Sequence, residues 1–173
     1  MSEKKNVMIK ILSVRSEIDG SLFEDGDGEL PEEDAIADSE PSGEAQEPME
    51  VWMEGRLLLG KDRVELVYEE DELSGMKGSV SVIGFDRANP GLVSMIRSGF
   101  VNTALIFEEQ ARHICMYHTP FSEFEICVHS LSVSNRLLEE GTLELDYLIE
   151  FHGAQTERCR MTISIKERPE QLL

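Results

Sequence analysis

Apolar and polar residues alternate over short runs for most of the chain, with turn-forming residues between the runs. Val7–Arg15 (VMIKILSVR) is β-branched and apolar on both faces. Met49–Leu59 alternates from Glu50 to Glu54, with Val51 and Met53 on one face. Gly60-Lys61-Asp62 then signals a turn before the strand-like run RVELVYEE. Further strands are expected at Gly78–Phe85, Gly91–Arg97, Phe100–Phe107, Ala111–Thr119, Glu123–Val133, Thr142–Phe151 and Glu157–Glu167. At most one helical turn, Asn135–Glu140, interrupts them. So many short strands at near-regular spacing predict a meandering antiparallel sheet, which curls and closes to remove its edges. The expected fold is all-β, a closed barrel of about eight to ten strands, with a sandwich as the alternative.

One hairpin can be argued to its register. In Ala111–Val133 the even positions Ile114, Met116, Phe124, Ile126 and Val128 are apolar, whereas Glu123, Glu125 and His129 are polar. Opposed residues share a face, so the apolar set meets itself only if paired numbers sum to an even value. The sum 242 pairs Thr119 with Glu123 around a three-residue loop, Pro120-Phe121-Ser122.

Charge changes this picture in one place. The chain has 173 residues and a formal net charge of −19, from 16 Lys+Arg against 35 Asp+Glu. From Glu17 to Glu50 there are 14 acids and no Lys or Arg, which leaves a net of −5 for the rest. That stretch is rich in Gly, Pro and Ser, and it cannot offset its ordering entropy by burial. Residues 1–173 therefore read as one barrel domain, with 17–48 a disordered acidic insertion after the first strand. So negative a surface argues against nucleic acid and anionic membranes as partners. No apolar run approaches the roughly 18 residues of a membrane-spanning helix. The start, MSEKKNVMIK, lacks the apolar core of a secretory signal. Three cysteines without that signal are expected as reduced thiols in the cytoplasm.

The segments VYEEDELSGMKGS, VSMIRSGFVNTALIF and MYHTPFSEFEI are followed in order by NRLLEEGTLELDYLIEFHG and MTISIKE. Together they resemble the YwiB-like family, small uncharacterised bacterial proteins described as a domain of unknown function. The resemblance rests on Tyr68, Glu69, Arg97, Gly99, Phe107, Tyr117, Thr119 and Tyr147, and spans nearly everything except the insertion. It implies a calycin-like (lipocalin-like) barrel and no established activity. Ser122 stands where the family usually shows Gly.

Candidate chemistry is sparse. Under the sum 242, His113 faces His129 and Cys115 faces Cys127, a set that matches zinc's ligand preferences. Four neighbours in one sheet plane must pucker to become tetrahedral, and no CxxC is present, so no metal is expected. A nucleophilic Cys115 would need a base and an orienting group, and nothing acidic is evident behind His113. Asp25–Glu29 resembles a calcium loop, but its sixth and twelfth positions are Leu30 and Ile36 rather than Gly and Glu. Phosphate, dinucleotide, metalloprotease and hydrolase motifs are missing.

Arg97 is the preferred ligand anchor. A two-residue turn after it places it with Phe100, Asn102, Ala104 and Ile106; a three-residue turn places it with Val101, Thr103, Leu105 and Phe107, the face that reads as inner. An inward guanidinium needs a carboxylate, either Glu69 or one from a ligand. No catalytic residue and no cofactor are assigned. The expected function is non-catalytic binding of a small apolar or amphipathic ligand, with Arg97, Tyr68 and Glu69 orienting it. The alternative is a filled barrel that docks a protein through the acidic loop or an exposed sheet face.

Overall fold

The computed structural model describes residues 2–18, 47–72, 77–151 and 155–168. Ten strands run in chain order: β1 (Glu3–Ile18), β2 (Met49–Leu59), β3 (Arg63–Glu69), β4 (Ser79–Asp86) and β5 (Asn89–Gly99). They continue as β6 (Asn102–Glu108), β7 (Arg112–His118), β8 (Glu123–Arg136), β9 (Thr142–Phe151) and β10 (Gln155–Glu167). A single helical turn, α1 (Leu137–Glu140), lies between β8 and β9 and ends on Gly141 in the left-handed conformation, where Gly carries no Cβ penalty. The strands form one closed antiparallel barrel in which sequence neighbours pair throughout and β1 meets β10. The expected barrel is therefore present, with β1 longer than the Val7–Arg15 run. Of the expected acidic insertion, residues 19–46, including Asp25–Glu29, lie outside the described residues.

Alternation sets the inner face, and the registers stack it in tiers. Val64, Phe85, Val93 and Phe107 are mutual cross-strand partners in one tier; Leu66, Ile83, Met95 and Leu105 form the next. With Ile9, Leu143 and Ile163 from the far wall, these side chains are at most 3 % exposed. No water-sized void can touch residues so enclosed, so this half of the barrel is filled by its own side chains.

Gly55 bends β2. A Cβ there would lie 2.3 Å from the Ile9 side chain and 2.8 Å from the Val67 carbonyl. Beyond it the strands part: β2 pairs with β3 only through Gly55–Leu59, whereas its pairing with β1 continues to Met49. A groove of about 730 Å³ occupies the gap, lined by Gly55, Tyr68, Glu69 and Val80 among others.

The β7–β8 hairpin departs from the expected register. His118 faces Glu123, Cys115 faces Ile126 and Arg112 faces His129, so paired numbers sum to 241 instead of 242. The connection has four residues, Thr119–Ser122, because Thr119 organises it. Its hydroxyl accepts the Phe121 and Ser122 N–H groups, and its own N–H donates to the Ser122 carbonyl at 2.9 Å. One extra loop residue reverses the facing of β7 relative to β8. Cys115 and Tyr117 thus pack against the core, while Ile114 is 69 % exposed on the outside.

Candidate functional site

The third inner tier is polar and aromatic. Tyr68 faces Ser81, Ser81 faces Arg97, Arg97 faces Thr103, Thr103 faces Tyr117, and Tyr117 faces Phe124. Six strands thus deliver one continuous row at the end of the barrel where β3 and β5 leave. The Ser98–Asn102 connection that inverts the chain after Arg97 depends on Gly99, whose φ is +128° and whose added Cβ would lie 2.2 Å from the Gly78 carbonyl. Asn102 clasps Gly99 through both its backbone groups, and the Val101 N–H donates to the buried Ser79 Oγ at 2.9 Å. Arg97 consequently lies on the inner face with Thr103, Leu105 and Phe107.

Glu70 is the partner of Arg97. Its Oε1 accepts from Arg97 Nε at 3.4 Å and from Ser81 Oγ at 2.5 Å, with side-chain exposures of 4 % for Glu70 and 11 % for Arg97. The Tyr68 hydroxyl completes the network through Ser81 and Arg97, and burial, reinforced by the Glu70 charge, pushes its pKa up to about 12. Tyr147 stands on the adjoining wall, directly opposite Cys159, with its hydroxyl and the Cys159 thiol hydrogen-bonded. Complete burial drives the Tyr147 phenol well above its ordinary range, and burial pushes the Cys159 thiol up to about 11. Arg15, paired with Glu157 at 3.7 Å, faces Cys159 from β1.

The tier loosens toward β8. Tyr68 and Ser81 are fully enclosed, whereas Tyr117, Phe124 and Phe151 are half-buried. Tyr117 and Phe124 stack with centroids 5.2 Å apart, and Phe151 lies 6.0 Å from Phe124. A guanidinium held by a carboxylate and an aromatic wall a few residues away can together receive a molecule with one polar and one apolar end.

Two of the three ligand-orienting residues expected from sequence, Tyr68 and Arg97, meet in this tier. Glu69 does not: it points outward into the groove beside β2, and Glu70 takes the role of internal carboxylate. The pattern already held this signal, since Val64, Leu66 and Tyr68 share a face with Glu70 by simple alternation. Tyr117 turns inward, contrary to the outside position implied by its expected neighbour Glu125. Trp52 lies on the outer face over Lys10, with its indole N–H on Glu50 at 2.6 Å, and lines no part of the tier.

The zinc arrangement is dismantled by the same register change. Cys115 packs inward beside Thr103, while Cys127 faces outward among Glu150, Arg112 and Glu125. His113 pairs with Glu108 at 3.3 Å. No cluster of three or more His, Cys, Asp or Glu that could hold a metal occurs among the described residues. All three cysteines are free thiols. No helix among the described residues is long and apolar enough to cross a membrane.

Comparison with known proteins agrees with this architecture. A solved structure, the ywiB protein from Bacillus subtilis, is similar to the chain with a TM-score of 0.61 at 18 % sequence identity, covering 93 % of this chain and 92 % of that one. At that identity the likeness speaks for the fold alone. No curated protein matches the chain. The model of a domain of unknown function, DUF1934, matches residues 36–163. With that match covering most of the barrel, the chain belongs to the DUF1934 family of YwiB-like β-barrel proteins.

Proposed function

We propose that the polar end of the barrel binds a small amphipathic molecule with an anionic head. The observation that carries this is the third tier itself, where a buried Arg97–Glu70–Tyr68 network sits beside the half-buried stack Tyr117–Phe124–Phe151. Glu70 engages Arg97 through Nε, and a guanidinium carries further N–H donors that suit a carboxylate or phosphate head. The aromatic wall then takes the apolar part. The filled lower tiers limit the guest to the barrel end, so a long chain has no room inside. Nothing in the tier pairs an acid and a base around a nucleophile, and the reading is of binding without chemistry. The three free thiols support a reducing compartment such as the cytoplasm.

Titration with decanoate and with decanol, followed by amide chemical shifts, tests the reading. Saturable shifts confined to Tyr68, Arg97, Tyr117, Phe124 and Phe151, stronger for decanoate and lost in Phe124→Ala, are expected. No shift at millimolar decanoate, or shifts elsewhere on the barrel, would overturn it. A second reading, a filled barrel that docks protein, is favoured by a separate feature of the outer surface.

A further inference from the structure

The outward positions of β4 to β7 are apolar where a solvated barrel wall is ordinarily polar. Val82, Ile96 and Ala104 are direct cross-strand partners on that face, flanked by Ile106, Ile114 and Met116. Ile114 is 69 % exposed, Ile96 42 % and Met116 39 %. On that face these strands carry charge only at their ends, as Asp86, Glu108 and Arg112, and the Arg63 guanidinium reaches across from β3 to Ser94 at its margin. The opposite wall is different: Lys10, Asp146, Arg158 and Arg160 occupy mid-strand outward positions, with Arg158 and Asp146 joined at 2.8 Å. Exposed apolar side chains are therefore concentrated on the face of β4 to β7.

We propose that this face is the interface of a symmetric homodimer, independent of the ligand reading. Its exposed apolar side chains form a patch at the upper end of the roughly 300–600 Å² that the largest patch on a monomer reaches, a size that often marks an interaction site. Two copies would bury about twice that, the low end of a standard specific interface. Because the centre is uncharged, two chains of net charge −19 meet there without opposing acids. Sheet faces of equal twist also pack aligned at about 30°, so the Val82–Ile96–Ala104 row can lie against its own two-fold image.

Sedimentation velocity of the full chain from 5 to 100 µM, in low and high salt, tests this. A dimer that barely responds to salt is expected, with Ile114→Lys and Ala104→Arg each weakening association at least tenfold while far-UV spectra stay unchanged. The side chain of Ile114 is mostly in solvent, so its replacement leaves the barrel folded. Wild-type protein that stays monomeric at 100 µM, whether or not it pellets with lipid vesicles, overturns the proposal. So does a dimer that survives both substitutions.

Discussion

Replacing Glu70 by Ala should be among the most damaging single changes in the barrel, although its neighbour Glu69 can be replaced freely. Glu70 and Arg97 are 4 % and 11 % exposed, so the Ala variant strands a guanidinium away from water and frees Ser81 of its 2.5 Å acceptor. Breaking a buried ion pair from one side costs about 3–5 kcal/mol. With a urea slope of about 2 kcal/mol/M, the unfolding midpoint drops by about 1.5–2.5 M. Glu69 lies outside with no such partner, and Glu69→Ala should stay within about 0.5 kcal/mol of wild type. The double variant Glu70→Leu/Arg97→Met removes both charges and should recover most of the loss, because an apolar pair of similar volume avoids the stranded charge. Urea unfolding followed by far-UV circular dichroism reads all three. If Glu70→Ala unfolds within about 1 kcal/mol of wild type, or if Glu69→Ala is the more damaging, the assignment of the internal carboxylate is wrong.

Alkaline stability follows from the raised acids. The unfolded Cys159 and Tyr68 lose their protons near 9 and 10, but in the barrel they hold them to about 11 and 12, so stability falls as pH rises from about 9 to 12. Tyr68 alone contributes about 3 kcal/mol of that decline, and urea midpoints that stay flat from pH 9 to 11 would contradict it. Thiol labelling under native conditions should reach Cys115 and Cys127 well before the buried Cys159, with Cys159 reacting only on unfolding. Added zinc should not protect Cys115 and Cys127 together, since they face opposite sides of the sheet; joint protection would restore the register summing to 242. Gly99→Ala, forced into a positive φ against the Gly78 carbonyl, should cost at least about 1–3 kcal/mol in a thermal or urea melt.

The error in the β7–β8 register and the apolar outer face have one cause. Register reasoning assumes that one side of a strand is polar, yet β7 carries Ile114 and Met116 outside and Cys115 and Tyr117 inside. With both faces apolar, alternation cannot choose between them. The choice passed to the loop, where the Thr119 hydroxyl holds a four-residue connection. A misplaced register was itself the sign of a second surface to be covered.

The polypeptide's order of residues was sufficient for the number of strands, their limits within a few residues, the single helical turn and the closed barrel. Those depend on period-two patterning and on turn residues, which are local. It also named Tyr68 and Arg97 as residues near the barrel mouth, while leaving the face of Arg97 to the length of the turn after it. Only the folded barrel decided that Glu70, rather than Glu69, meets Arg97, that the four His and Cys candidates separate, and that the lower tiers are filled. Each of these hangs on how strands are offset across loops, and in a pleated sheet a shift of one residue sends every side chain to the other face.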